Sequence, residues 1–156
     1  MSSHYGFALE VHSILRLTLT VLSAWLVFLG LRGWLGERSP SPTTKLLLLL
    51  ATIAADLQLI LGLLLYFAWS PTASQVRADF GAAMKDPTLR FWAVEHGSAM
   101  LLAVACVHIG KVLAGKAASD GSRSRRIVLW FGIVLVLILA MSPWPFSSIT
   151  RPFLRV

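Results

Sequence analysis

At 156 residues the chain has the length of one modest domain, but 56% of it is hydrophobic and only 13% charged, where an ordinary soluble domain carries about 25% charged residues. A soluble fold of this size could not bury so much apolar surface, so the composition points to a bilayer. The net charge of +7 lies in short segments between apolar runs, where cations set topology and meet lipid headgroups rather than nucleic acid. Cys106 is the single cysteine, which excludes an internal disulfide or a CxxC site and leaves a small packing residue.

A hydrocarbon core of ~30 Å takes about 20 helical residues to cross. The first apolar run, about Ala8 to Leu31, is long enough, although Glu10, His12 and Arg16 interrupt its opening turns. Those charges, and the lack of a basic start, argue against a cleaved signal peptide. A second helix is expected over about 43–69, after Ser41-Pro42, a capping serine with proline at the first helical position. In the next connection Val76, Phe80 and Met84 recur every fourth residue. That pattern predicts an interfacial helix over about 73–84, and an ordinary polar loop fits the length equally well. The third helix opens on Asp86-Pro87 and covers about 87–113. The fourth covers about 125–142, after Ser124-Arg125-Arg126, and stops at Ser142-Pro143. Four crossings with short connections predict an all-α, integral membrane, up-down-up-down four-helix bundle, a single transmembrane domain over 1–156.

An even number of crossings puts both termini on one side. Arg32, Arg38, Lys45, Lys111, Lys116, Arg123, Arg125 and Arg126 make eight cations at one end, against five at the other: Arg77, Lys85, Arg90, Arg151 and Arg155. The positive-inside bias predicts that the eight are cytoplasmic and that both termini are extracytoplasmic. Trp34 and Trp130 would then mark the inner interface, and Trp69, Trp92 and Trp144 the outer one.

The informative residues are the polar ones inside the apolar runs, each costly near the bilayer centre without a partner. Asp56 is the most expensive, near mid-depth of its helix; Arg16, Gln58, Glu95, His96 and His108 share the problem, with Glu10 and His12 nearer the outer interface. His12 and Arg16, four apart, lie on one helical face. His108, twelve residues beyond His96, is turned from it by about 120° and lies about 18 Å deeper, near the inner interface. The outer half of the bundle therefore collects two histidines, three carboxylates and an arginine.

Four chemistries can use that cluster. Two neutral imidazoles from different helices can ligate a haem iron, with an arginine at a propionate; His12 and His96 are the pair on the same half, and Arg16 the arginine. Glu10, His12, Asp56, Glu95 and His96 are also ligand types for a non-haem divalent ion. Asp56, Glu95 and His96 are relay groups for a proton path. Finally, the polar groups can serve only as interhelical glue, with Arg16 on Asp56 and the histidines hydrogen-bonded across the bundle. Met100, one turn from His96, reads as core packing.

Several stretches resemble a family of small bacterial four-helix membrane proteins commonly labelled cytochrome b or cytochrome b-like. They are His12-Ser13-Ile14-Leu15-Arg16, Gln58-Leu59-Ile60-Leu61-Gly62 with Leu65-Tyr66-Phe67, and Met84-Lys85-Asp86 with Leu89-Arg90-Phe91. Glu95-His96 with Met100, Ile109-Gly110 and Pro143-Trp144-Pro145-Phe146 follow in order, so the resemblance covers nearly the whole chain. It implies a bacterial inner-membrane protein that carries electrons through one haem b on His12 and His96, with Arg16 near a propionate. The expected partners are the lipid bilayer and a quinone or a redox subunit. The chain departs from the pattern at Asp56 and Glu10, where the family usually has histidines, so a site built on those histidines is altered or lost. Carboxylates there favour a harder ion or a proton-handling group at Asp56. The remaining reading is a non-redox accessory membrane subunit.

Overall fold

A computed structural model of the protein describes residues 3–36 and 41–144, and the described chain is helical with no strand. Four of its helical stretches are long and apolar enough to cross a membrane: His4–Leu35, Pro42–Trp69, Pro87–Gly115 and Asp120–Met141. They form an all-α four-helix membrane bundle.

Local capping chemistry sets most of the boundaries. Helix α1 covers Ser3–Leu35, about 50 Å at 1.5 Å per residue and so longer than a bilayer core is thick. Helix α2 (Pro42–Leu64) starts where Ser41 accepts from the Thr44 amide and Pro42 fills the first position. It continues through a wide, π-type turn at Leu65–Trp69. The connection expected as one interfacial helix is broken in two, α3 (Pro71–Ala78) and α4 (Phe80–Ala83). Asp79 causes the break: it ends α3, and its carboxylate accepts the Ala82 amide at 2.9 Å to start α4. Val76 is consequently buried while Phe80 is exposed. Helix α5 (Pro87–Arg90), capped by Asp86, passes through a second wide turn at Phe91–Glu95 into α6 (His96–Gly115).

Helix α7 (Asp120–Met141) begins five residues before the expected start at 125. Ser119 caps it, Asp120 suits the positive end of the helix, and Arg123 bonds both Asp120, at 3.0 Å, and Ala114 O, at 3.2 Å. Arg126 reaches Leu113 O. Two cations read in the sequence only as topology signals thus satisfy carbonyls at the end of α6. Of the residues in that charge count, Arg38, Arg151 and Arg155 lie outside the described residues, as do Pro145 and Phe146 of the last motif.

The four spanning stretches pack in cyclic order, each against its sequence neighbours, with α1 closing the ring on α7. The ends of the bundle therefore differ. One holds the start of α1, the end of α7 and helices α3 to α5; the other holds the end of α1, the start of α2, the end of α6 and the start of α7. We call them the terminal end and the loop end. The core runs through Leu26, Ala55, Val107, Phe131 and Ile138, with Cys106 buried in it. Leu and Ile side chains along all four helices face outwards, as lipid-facing surface must.

Candidate functional site

The intramembrane polar residues separate into an inward group at the terminal end and an outward group on α2 and α6. The inward group is built around the end of α7. A helix leaves its last carbonyls without intrahelical partners. Here Arg16, only 6% exposed, donates to Pro143 O at 3.4 Å, with its guanidinium 4.8 Å from the centre of the Trp144 ring. The side chain of His96 donates from Nδ1 to Met141 O at 2.7 Å. A carbonyl oxygen only accepts, so Nδ1 carries a proton, and in the neutral ring the lone pair is on Nε2. The His96 ring stands among aromatics, 5.7 Å from Phe91 and 5.4 Å from Trp92. The wide turn at Phe91–Glu95 delivers His96 to this place, a use such turns often have.

His12 joins the same end from α1, one turn before Arg16. Its Nδ1 is buried and its ring lies against α2 at Gly62, where an added Cβ would meet the ring at 3.4 Å. One turn earlier on that face of α2, Gln58 is buried, and its amide oxygen has no hydrogen-bond partner among the described residues. Trp144, expected in an interfacial belt, is instead turned inwards and donates to Leu139 O at 2.8 Å. Sequence reading missed its part in this cluster, and that of the carbonyls of Met141 and Pro143, because a helix end advertises no side chain.

The carboxylates go elsewhere. Glu10 is exposed. Glu95 pairs with Arg90 at 2.9 Å, and both side chains are well exposed. The residue paired with Asp56 is His108, not Arg16: Nε2 of His108 lies 2.7 Å from Asp56 Oδ1, with the side chains 48% and 47% exposed on the outer surface of the bundle. Counting rise from helix ends placed His108 too near the loop end. Side chains lean towards their own helix N-terminus. Since α2 and α6 run in opposite directions, Asp56 leans towards the loop end and His108 towards the terminal end, and the two meet. Among the described residues no three His, Cys, Asp or Glu side chains converge to hold a metal ion. Glu10, His12, Asp56, Glu95 and His96 therefore do not form one divalent-ion site here.

His12 and His96 thus stand on diagonal helices towards the same end, His96 held through Nδ1 on Met141 O, and buried Arg16 lies one turn from His12 on α1. Comparison of the chain with models of known protein families, with curated proteins and with solved structures found no match.

Proposed function

We propose that the protein is a membrane-embedded electron carrier of the b-type cytochrome kind, in which His12 and His96 hold one haem b and Arg16 meets a propionate. The observation that carries this reading is the bond from His96 Nδ1 to Met141 O at 2.7 Å. Ligating histidines are commonly held in this way by the nitrogen that does not bind the metal, which orients the ring and raises its basicity. When bound, haem supplies reversible one-electron chemistry. The chain's own part is to fix both imidazoles, to keep water away with Phe91 and Trp92, and to balance anionic charge with Arg16. The stretches resembling the cytochrome b-like family support the same reading. So do the excess cations at the loop end, which support an inner-membrane orientation with both termini extracytoplasmic. Electrons would pass to a quinone or a redox subunit.

The test is a reduced-minus-oxidised absorption spectrum of the purified full-length protein in detergent, with haem quantified against chain. Sharp reduced-state bands at about one haem per chain, lost in His12→Ala and His96→Ala, are expected. A colourless protein from haem-replete cells overturns the reading.

A second reading has its own observation. His96 donates to the last carbonyl of α7, at Met141, and Arg16 to Pro143 just beyond the helix, which is what a purely structural clamp would do in a non-redox accessory subunit. In that case the protein is colourless, and His96→Gln, which keeps a donor, retains most of the stability that His96→Ala loses.

A further inference from the structure

The Asp56–His108 pair has no place in the site at the terminal end. Both groups sit well inside their spans, and about half of each side chain lies on the outer surface. Hydrocarbon offers no hydrogen bonds, so a polar pair there is strongly disfavoured unless protein covers it. The other lipid-facing helices set the contrast. Outward positions on α1 and α7 include Val21, Trp25, Val136 and Leu139, and the exposed Thr18 hydroxyl is satisfied by its own helix at Ile14 O, 3.0 Å away.

We propose that the α2–α6 face is a dimer interface. A second copy of this chain, related by a two-fold axis along the membrane normal, covers the Asp56–His108 pair. The occupant follows from self-complementarity. Such an axis keeps residues at one depth and sets α2 of each copy against α6 of the other. Asp56 of one copy then faces His108 of the second copy. Asp56 Oδ1 and His108 Nε2 are engaged with each other within the chain, which leaves Oδ2 of the one and Nδ1 of the other to meet the second copy. Two Asp56 and two His108 side chains then close a ring of four hydrogen-bonding groups. An unrelated partner would have to supply the same acceptor and donor at the same depth, whereas a second copy carries them by construction. The flanking residues allow the approach: Ile53 and Ile60 on α2 and Val112 on α6 are exposed and apolar, and Ala105 is exposed and small. A single polar position in an apolar helix interface is a known device for fixing register and copy number.

The test uses the full-length chain in lipid vesicles. Ile53 lies one turn towards the loop end from Asp56, and Val112 one turn towards the loop end from His108. Differently tagged Ile53→Cys and Val112→Cys proteins, reconstituted together and oxidised, are expected to form a mixed disulfide dimer. A Val21→Cys and Val136→Cys mixture, reporting the α1 and α7 faces, is expected to stay monomeric. Asp56→Asn and His108→Gln should each weaken dimerisation about tenfold, as measured by energy transfer between labelled copies on lipid dilution. Exchanging the pair, Asp56→His with His108→Asp, restores complementarity and should restore the dimer. Three results overturn the proposal: a wild-type chain that is monomeric on modest dilution, cross-linking through Val21 and Val136 instead, or Asp56→Asn dimerising as the wild type does. The cross-linking arm leaves the pair intact, so it stands even where a substituted pair fails to fold.

Discussion

Helix α7 packs closely against both α1 and α6, whereas α2 leans on α6 more lightly than any other adjacent pair. Glycines mark the close flank. A Cβ on Gly30 would meet Val128 at 2.8 Å, and one on Gly110 would meet the Trp130 Cβ at 2.6 Å. The polar residues divide along the same line. On the α7 side Arg16 and His96 turn inwards and bond the carbonyls of Met141, the last residue of α7, and of Pro143 just beyond it. On the α2–α6 side Asp56 and His108 satisfy each other and face outwards. An intramembrane charge can therefore be a bolt within the bundle or a contact for something outside it, and its direction around the helix decides which.

Arg16 gives the largest effect by which this contrast can be broken. Replacing it with Leu removes the contact over Trp144 and the bond to Pro143 O, and leaves that carbonyl, just past the end of α7, without this donor. A loss of about 2–3 kcal/mol is expected, read by steric trapping or graded SDS unfolding in bicelles. Arg16→Lys should lose a good part of this, since an ammonium does not stack as a planar guanidinium does. A wild-type-like Arg16→Leu would mean that α7 is held by its apolar face alone.

Next comes the close flank itself. Gly110→Ala forces α6 away from Trp130, because the atom it meets is a Cβ tied to the backbone rather than a movable side-chain tip. The expected cost is about 1–3 kcal/mol, while Gly97→Ala on the same helix, where a Cβ meets nothing within 4 Å, should change stability little. The same unfolding assay checks both. Equal effects at the two glycines would mean that the close approach of α6 to Trp130 carries no cost of its own.

The sequence was informative about depth and poor about direction. Apolar run lengths and the Ser41-Pro42 and Asp86-Pro87 signals located the spans to within a few residues, because hydrocarbon thickness and capping are local constraints. The start of α7 was missed because Ser119-Asp120 carries a cap inside a polar, basic stretch that reads as loop. Placing His12, Arg16 and His96 towards one end needs only rise per residue. What they touch was not legible: the acceptors are backbone carbonyls of Met141 and Pro143, which every residue has. The pairing of Asp56 with His108 needed the lean of side chains on antiparallel helices, and Arg16 was the more obvious charge partner.

The smallest expected effect is also the sharpest. If the outward pair is a contact rather than a bolt, Asp56→Asn should hardly change the folding of a single chain. Asparagine keeps an acceptor for His108, and interhelical hydrogen bonds in membranes average only about 0.6 kcal/mol. Below about 1 kcal/mol of lost stability is therefore expected in the dilute bicelle assay, against the larger loss at Arg16. A loss at Asp56 as large as that at Arg16 would make the pair the main tie between α2 and α6, where apolar packing is lightest. The two flanks would then differ in what holds them, polar on one side and apolar on the other, rather than in which way their charges face.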